Sequence, residues 1–218
     1  MHILLYFIRH GETDLNVKGC LQGQIDTELN EIGIRLATLT GEGLRDVRFD
    51  RVITSPLKRA RRTAELIMEQ NRVSHADIEL DDRIMEISFG EWDGRCCLAG
   101  QNEVPMASVW SFYHDPWKYK APPGGETIRQ VIDRTNGFLQ ELIHDEANDG
   151  KTILISTHGC AMRALLHQVY EDKEDFWHGM LPKNCAVNVA SFTDGKLSLL
   201  EDDALYYDER LSHNWYSV

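Results

Sequence analysis

Residues 3 to 8 (Ile-Leu-Leu-Tyr-Phe-Ile) are apolar without interruption, which predicts a strand covered on both faces. A helical pattern follows, with Asn30 as N-cap and Ile32, Leu36, Leu39 and Leu44 recurring at roughly helical spacing. Phe49 to Ile53 is a second β-rich run ending at Thr54-Ser55-Pro56, where Ser55 is placed to cap a helix and Pro56 to open it. Ala60, Ala64, Ile67 and Met68 form the inward face of that helix. Residues 91–125 break the pattern: they are rich in Trp, Gly, Pro and mixed charge, show weak periodicity and end in Pro122-Pro123-Gly124-Gly125. They predict an insertion of short helices and loops, a lid or substrate-selecting wall on a single domain spanning 1–218. Thr127 to Gln130 has the form of a capping box, and Ile128, Val131, Ile132, Thr135, Leu139, Leu142 and Ile143 draw the stripe of a long helix behind it.

Thr152 to Ser156 is a third β run, followed by Thr157-His158-Gly159 and a helix carrying Met162, Leu165, Leu166 and Val169. Ala186 to Phe192 and Leu197 to Leu200 predict a hairpin turning at Asp194-Gly195. Strands alternating with helices predict a three-layer α/β/α sandwich: a mainly parallel central sheet with helices on both faces. Internal repeats and low-complexity stretches are absent from the sequence.

Composition narrows the class. A chain of 218 residues, 42% hydrophobic, suffices for one well-buried core. No apolar stretch is long enough to cross a membrane as a helix, and the opening residues read as a buried strand, not a signal peptide. A net charge of −12 argues against nucleic-acid or membrane-surface partners. The five cysteines (Cys20, Cys96, Cys97, Cys160, Cys185) lack CxxC spacing, and unpaired thiols in a reducing cytoplasm are expected.

The chemistry gathers after the strands. The first run is followed by Arg9-His10-Gly11-Glu12-Thr13, the second by Ser55 through Arg59, the third by His158-Gly159. Ligands bind outside the carboxyl ends of parallel strands, so Arg9, His10, Arg59 and His158 are expected at one rim. Arg59 falls in a first helical turn, where free N–H groups already favour an anion. Two arginines and two histidines there suit a dianion, and the guanidinium fork matches phosphate. A neutral imidazole is a competent nucleophile at phosphorus once its other nitrogen is held as a donor. Gly11 is expected to allow close approach of a substrate. The leaving oxygen needs a proton, for which Glu86 and Glu12 are both candidates.

These residues match a known family. The sequence resembles the histidine phosphatase superfamily, in its phosphoglycerate mutase-like branch. Arg9 to Thr13 stands as RHGET, followed by Asn16 and Leu21-Gln22-Gly23; Asp26, Leu29, Gly33 and Ala37 continue the pattern. SPLKRARRTA (Ser55 to Ala64), RIMEISFGEWDG (Arg83 to Gly94), PPGGET (Pro122 to Thr127) and STHG (Ser156 to Gly159) complete the ordered blocks, so the resemblance covers nearly the whole chain. It implies His10 as phosphorylated nucleophile, Arg9, Arg59 and His158 as phosphate-binding partners, Asn16 and Gly23 as accessory contacts, and Glu86 as proton donor. It also implies a phosphoglycerate mutase-like fold and a reaction that needs no metal or other cofactor.

One departure bears on the activity. Asp93-Gly94-Arg95-Cys96-Cys97 stands where mutases carry Gly-Leu-Asn-Lys, and no Arg-Arg pair occurs between residues 91 and 125. This favours a metal-independent phosphomonoesterase over a cofactor-dependent mutase, with an inactive phospho-ligand-binding protein a third reading. Trp92, Trp110, Phe112, Tyr113, Trp117 and Tyr119 are expected either to meet an apolar leaving group or only to pack. Lys58 to Arg62 resembles a basic nucleic-acid patch, but its side chains point several ways around a helix in an acidic chain. The remaining histidines show no metal-ligand spacing. A small phosphomonoester is the expected partner, and a homodimer through an edge strand or the C-terminal segment is compatible with the sequence.

Overall fold

The computed structural model describes residues 1–97 and 103–213. In chain order the elements are β1 (His2–Arg9), α1 (Asp14–Val17), α2 (Glu31–Gly43), β2 (Arg51–Thr54), α3 (Lys58–Gln70), β3 (Ile78–Leu80) and α4 (Met106–His114). They continue with α5 (Ile128–His144), β4 (Thr152–Thr157), α6 (Gly159–Leu166), β5 (Val187–Thr193) and β6 (Lys196–Ala204).

The six strands form one sheet in the order β3-β2-β4-β1-β5-β6. β3, β2, β4 and β1 run parallel, and β5 and β6 are antiparallel additions at one side. β1 is central and its residues alternate between two cores. Ile3, Leu5 and Phe7 pack with Leu139 and Leu142 of α5 and Met162 and Leu165 of α6. Leu4, Tyr6 and Ile8 turn to the other face, against Ala64 and Ile67 of α3 and Leu44 after α2. The period of two thus puts one helix pair on each face, and the expected three layers are present.

Local chemistry sets the boundaries. Asn30 Oδ1 accepts from Gly33 N–H at 2.8 Å, capping α2. Thr127 and Gln130 close the reciprocal capping box of α5, with Gln130 Oε1 accepting from Thr127 N–H at 2.8 Å. The β5–β6 hairpin turns at Asp194 and Gly195, both with positive φ (52° and 82°), the geometry that matches the strand twist.

Two expectations need correction, and one strand lies outside them. Ser55 does not cap α3, which begins three residues later with Leu57 at its N-cap; the Ser55 hydroxyl instead accepts from Leu57 N–H and meets His158. β3 carries no clear pattern because it is a three-residue, largely exposed edge strand, tied to β2 in part by Arg51 and Glu79. The thiols are not all unpaired: Cys20 and Cys96 form a disulfide across an isolated antiparallel bridge, while Cys97, Cys160 and Cys185 are free and buried. The two half-cystines are 76 residues apart, so only the fold brings them together. Of the expected insertion, 91–125, residues 98–102 lie outside the described residues; the remainder holds α4 and short 3-10 turns.

Candidate active site

Strand register assembles the site. Arg9 on β1 lies beside Thr157 on β4, and His10 N–H continues that ladder to the Thr157 carbonyl at 2.9 Å. On the other side of β4, Ser55 N–H reaches the Ser156 carbonyl at 3.0 Å. The ends of β1, β4 and β2 are therefore adjacent, and the residues after them meet. Arg9, His10, Asn16, Gly23, Arg59 and Glu86 all line one small cleft, open to solvent. His158 stands just behind it, fully buried, its ring 5.2 Å from that of His10.

His10 Nδ1 lies 2.7 Å from the Gly11 carbonyl. A carbonyl oxygen only accepts, so Nδ1 carries the proton and Nε2 keeps the lone pair. Burial, and then the Arg59 and Arg9 charges, hold the His10 pKa well below the usual 6.5, against the smaller pull of the Gly11 hydrogen bond. The imidazole is neutral. His158 is likewise held well below 6.5, by burial first and then by Arg59. Its Nε2 is 2.7 Å from Ser55 Oγ. That hydroxyl also accepts from Leu57 N–H at 3.3 Å, so Ser55 links the second histidine to the turn before α3. Nδ1 is buried and has no partner among the described residues.

The two arginines are anchored through carbonyls. Arg59, fully buried at the start of α3, donates from Nη1 to Ile25 O and from Nη2 to Gly23 O, both at 2.7 Å. Burial presses its pKa down to about 10, which still leaves it cationic at neutral pH. Arg9 Nη1 donates to the Pro182 carbonyl. Gly23 has φ +50°, and a Cβ there would lie 1.7 Å from Asp93 Oδ1. Its carbonyl, turned to Arg59, is what this glycine contributes. Asn16 Oδ1 accepts from Thr13 N–H at 3.1 Å and Asn184 Nδ2 at 3.3 Å, which fixes its amide at the cleft. Gly11 serves close packing, in contrast to the expectation of substrate approach: a Cβ there would come within 2.6 Å of the Gly33 carbonyl.

The two glutamates separate cleanly. Glu12 is fully buried away from the cleft lining, accepting from Asn30 Nδ2 at 3.0 Å and His213 N–H at 2.8 Å. It fastens the start of α2 to the C-terminal segment. Glu86 lines the cleft, and its carboxylate accepts backbone N–H groups of Ile87 (2.9 Å), Ala161 (3.1 Å) and Cys160 (3.3 Å), the last two at the N-terminus of α6.

Several supporting residues carry no sequence signal of their own. Arg134 on α5 donates to the carbonyls of Arg83, Met85 and Glu86 at 2.7–3.0 Å and pairs with Glu126, whose carboxylate also accepts Ser88 N–H. This clamp fixes the Glu86 loop and gives the PPGGET block a structural task. Asp93 ties Phe89 N–H and Gln24 N–H together, and burial raises its pKa above the usual carboxylate value. Asn184 Nδ2 donates to the His10 carbonyl at 3.0 Å. Of the aromatic residues of the insertion, Phe112 and Tyr113 line the cleft. Trp110 is exposed, and Trp117 donates to the Glu174 carbonyl and packs on Phe176, so neither is part of the lining. Among the described residues no cluster of three or more His, Cys, Asp or Glu has metal-holding geometry, and no helix is long and apolar enough to cross a membrane.

This geometry coincides with a family pattern: residues 5–202 match the model of the histidine phosphatase superfamily (branch 1). The chain belongs to the histidine phosphatase superfamily. Relatives in that superfamily include a probable fructose-2,6-bisphosphatase TIGAR A of Danio rerio, 41% identical over 148 residues. That match covers 66% of this chain and 55% of the relative, so the chain spans about half the length of that protein. A phosphatase of Bacillus subtilis (strain 168), PhoE, is 34% identical over 182 residues, covering 84% of this chain and 85% of its own. The solved structure of Bacillus stearothermophilus YhfR superposes with a TM-score of 0.83 at 27% identity, covering 94% of this chain and 98% of that one. Superfamily relatives are phosphatases and phosphotransferases, and this chain has the architecture and the ordered motifs of that group.

Proposed function

We propose that this histidine phosphatase superfamily member is a phosphomonoesterase that works without a metal through a phosphohistidine on His10. The observation that carries the proposal is the His10 imidazole. It is held neutral, its Nδ1–H is committed to the Gly11 carbonyl, and it lies in a cleft with two anchored guanidinium groups. In the first step Nε2 attacks phosphorus; the P–N bond forms as the ester P–O bond breaks, and Glu86 gives its proton to the leaving oxygen. Positive charge on the phosphorylated ring is stabilised by the Gly11 carbonyl. In the second step water attacks phosphorus, the P–N bond breaks, and the water proton passes to the Glu86 carboxylate. Phosphate leaves, and both groups return to their starting states. Arg9, Arg59 and His158 donate to the transferring oxygens, roles worth about 3–4 kcal/mol for a well-placed donor. Asn16 and the Gly23 loop complete the cradle.

A mutase would share the first step and return the phosphoryl group to a hydroxyl. Among the described residues Arg9 and Arg59 are the only cations lining the cleft, so nothing else there grips a carboxylate or second phosphate, which supports hydrolysis. The 91–125 segment, through Phe112 and Tyr113, is the substrate-selecting wall. Small phosphate esters are too charged to cross a bilayer unaided, which supports a cytoplasmic site of action; the Cys20–Cys96 disulfide removes the thiol argument for it. The test is phosphate release from a panel of phosphomonoesters, including 3-phosphoglycerate, with EDTA present. Turnover that survives EDTA and is lost in His10→Ala is the expected result. Turnover that EDTA abolishes, or that persists in His10→Ala, contradicts the proposal. Bisphosphate-primed isomerisation of 3-phosphoglycerate without phosphate release makes the chain a mutase.

A further inference from the structure

The loop that anchors Arg59 is fastened to the insertion through sulfur. Cys20, Leu21, Gln22 and Gly23 follow one another along the cleft wall, and the Gly23 and Ile25 carbonyls hold the Arg59 guanidinium. Residues 93–97 of the insertion run against this loop as a short seam. Leu21 N–H donates to the Arg95 carbonyl at 2.9 Å, Gly94 N–H to the Leu21 carbonyl at 2.6 Å and Cys97 N–H to the Gly19 carbonyl at 3.0 Å. Gln24 N–H reaches the Asp93 carboxylate at 3.3 Å. The Cys20–Cys96 disulfide crosses the same seam covalently.

We propose, resting on the phosphatase reading above, that Cys20–Cys96 is a reversible redox clasp on the phosphate site. Closed, it holds the Gly23 loop so that Arg59 is presented to phosphate; opened by a dithiol, it weakens that hold. In the cytoplasm proposed above thiols are kept reduced, and a disulfide there is as a rule a cycling one, not a permanent staple. Access sets the direction of exchange. Cys20 is buried and Cys96 is partly exposed, so an incoming thiolate attacks Cys96 Sγ with Cys20 as the leaving sulfur. The S–S bond breaks as a mixed disulfide forms on Cys96, and the second sulfur of the dithiol then displaces Cys96. The protein ends with two thiols and the dithiol ends as its disulfide, two electrons and two protons having moved; exchange with a disulfide of the same class closes the clasp again. Neighbouring thiols do not intervene. Cys97 Sγ donates to the Gly19 carbonyl at 3.1 Å, and burial pushes its pKa up to about 11. Cys160 also lines the cleft, but burial and then Glu86 hold its pKa well above the ordinary thiol value. Neither supplies a thiolate at neutral pH. Opening replaces a bond by a contact between two thiols, three residues from the carbonyl that holds Arg59. The hydrogen bonds of the seam remain, so the result is a graded loss of phosphate affinity and not unfolding.

The test equilibrates the full chain in graded mixtures of reduced and oxidised dithiothreitol and reads the pairing by thiol alkylation and peptide mass spectrometry. The same samples give KM and kcat for phenyl phosphate and, by calorimetry, the dissociation constant of inorganic phosphate. KM and that constant should both rise about three- to tenfold as the disulfide opens, on one titration curve, with a smaller change in kcat; such a factor corresponds to weakening about one hydrogen bond. Cys96→Ser should show the reduced values at every ratio, whereas Cys97→Ser should titrate like the wild type. A disulfide that opens with KM and phosphate affinity unchanged, lowering only the melting temperature, is a structural staple and overturns the inference. So does a redox response that survives in Cys96→Ser, or two thiols found at Cys20 and Cys96 in the fully oxidised buffer. No turnover in either state contradicts the phosphatase reading, and phosphate affinity then decides the clasp by itself. The wild-type titration is decisive even where a variant folds poorly.

Discussion

At the scale of single residues, the structure turns a set of polar residues into distinct chemical tasks. Both cleft histidines are buried and neutral, and this has a consequence for stability. Each has a folded-state pKa below the 6.5 of an exposed imidazole, so the unfolded chain binds more protons as pH falls through that value. Stability is therefore full above about 6.5 and is lost as pH falls toward the folded pKa values, at up to about 1.4 kcal/mol per pH unit for each histidine. Urea denaturation between pH 7.5 and 5.5 measures this, and His158→Gln should show a shallower slope than wild type; equal slopes would contradict the buried neutral state. His10, Arg9, Arg59 and Glu86 were legible because each follows a strand or a recognisable block. The choice between Glu86 and Glu12 was not legible from residue types, since both are carboxylates at plausible positions. The family resemblance chose Glu86, and the partners give the physical reason: backbone N–H groups of α6 for one, Asn30 and His213 for the other.

At the scale of elements, the apolar periods of β1, α5 and α6 were sufficient to place the layers, because each side chain there has one dominant physical demand. The supporting contacts were hidden because they run from side chains to backbone carbonyls across long sequence separations. Arg134 is the clearest case: on α5 its position reads as a polar helix face, yet it holds three carbonyls of the Glu86 loop, those of Arg83, Met85 and Glu86. Arg134→Ala leaves those carbonyls without the guanidinium and Glu126 without its ion partner. The expected result is a fall in kcat of about 10²-fold or less with a smaller change in KM, since the phosphate cradle is untouched while the proton donor loses its alignment. Steady-state kinetics on an alkyl phosphate checks it; a change in KM alone would place Arg134 in substrate binding instead. Ser55 shows the opposite kind of miss. A Ser-Pro after a strand reads as a helix start, but the hydroxyl is used to hold the His158 ring through its Nε2.

At the scale of the whole molecule, a net charge of −12 surrounds a cleft whose only lining cations are Arg9 and Arg59 among the described residues. Such a surface does not attract polyanions at long range, and in the proposed reaction selection for phosphate falls to two buried, carbonyl-anchored guanidiniums, one ending β1 and one opening α3. The fold class was legible from alternation of strands and helices, whereas the Cys20–Cys96 pairing arises only when the insertion packs against the early loop. The central claim is that the phosphoryl group passes through His10, and it is tested most directly by trapping it. A naphthyl phosphate turnover quenched within milliseconds under alkaline conditions, then digested and analysed by mass spectrometry, should show one phosphoryl adduct, on the peptide containing His10, stable to base and lost in acid. Steady phosphate release with no adduct at His10, or with the adduct on another residue, would contradict the account.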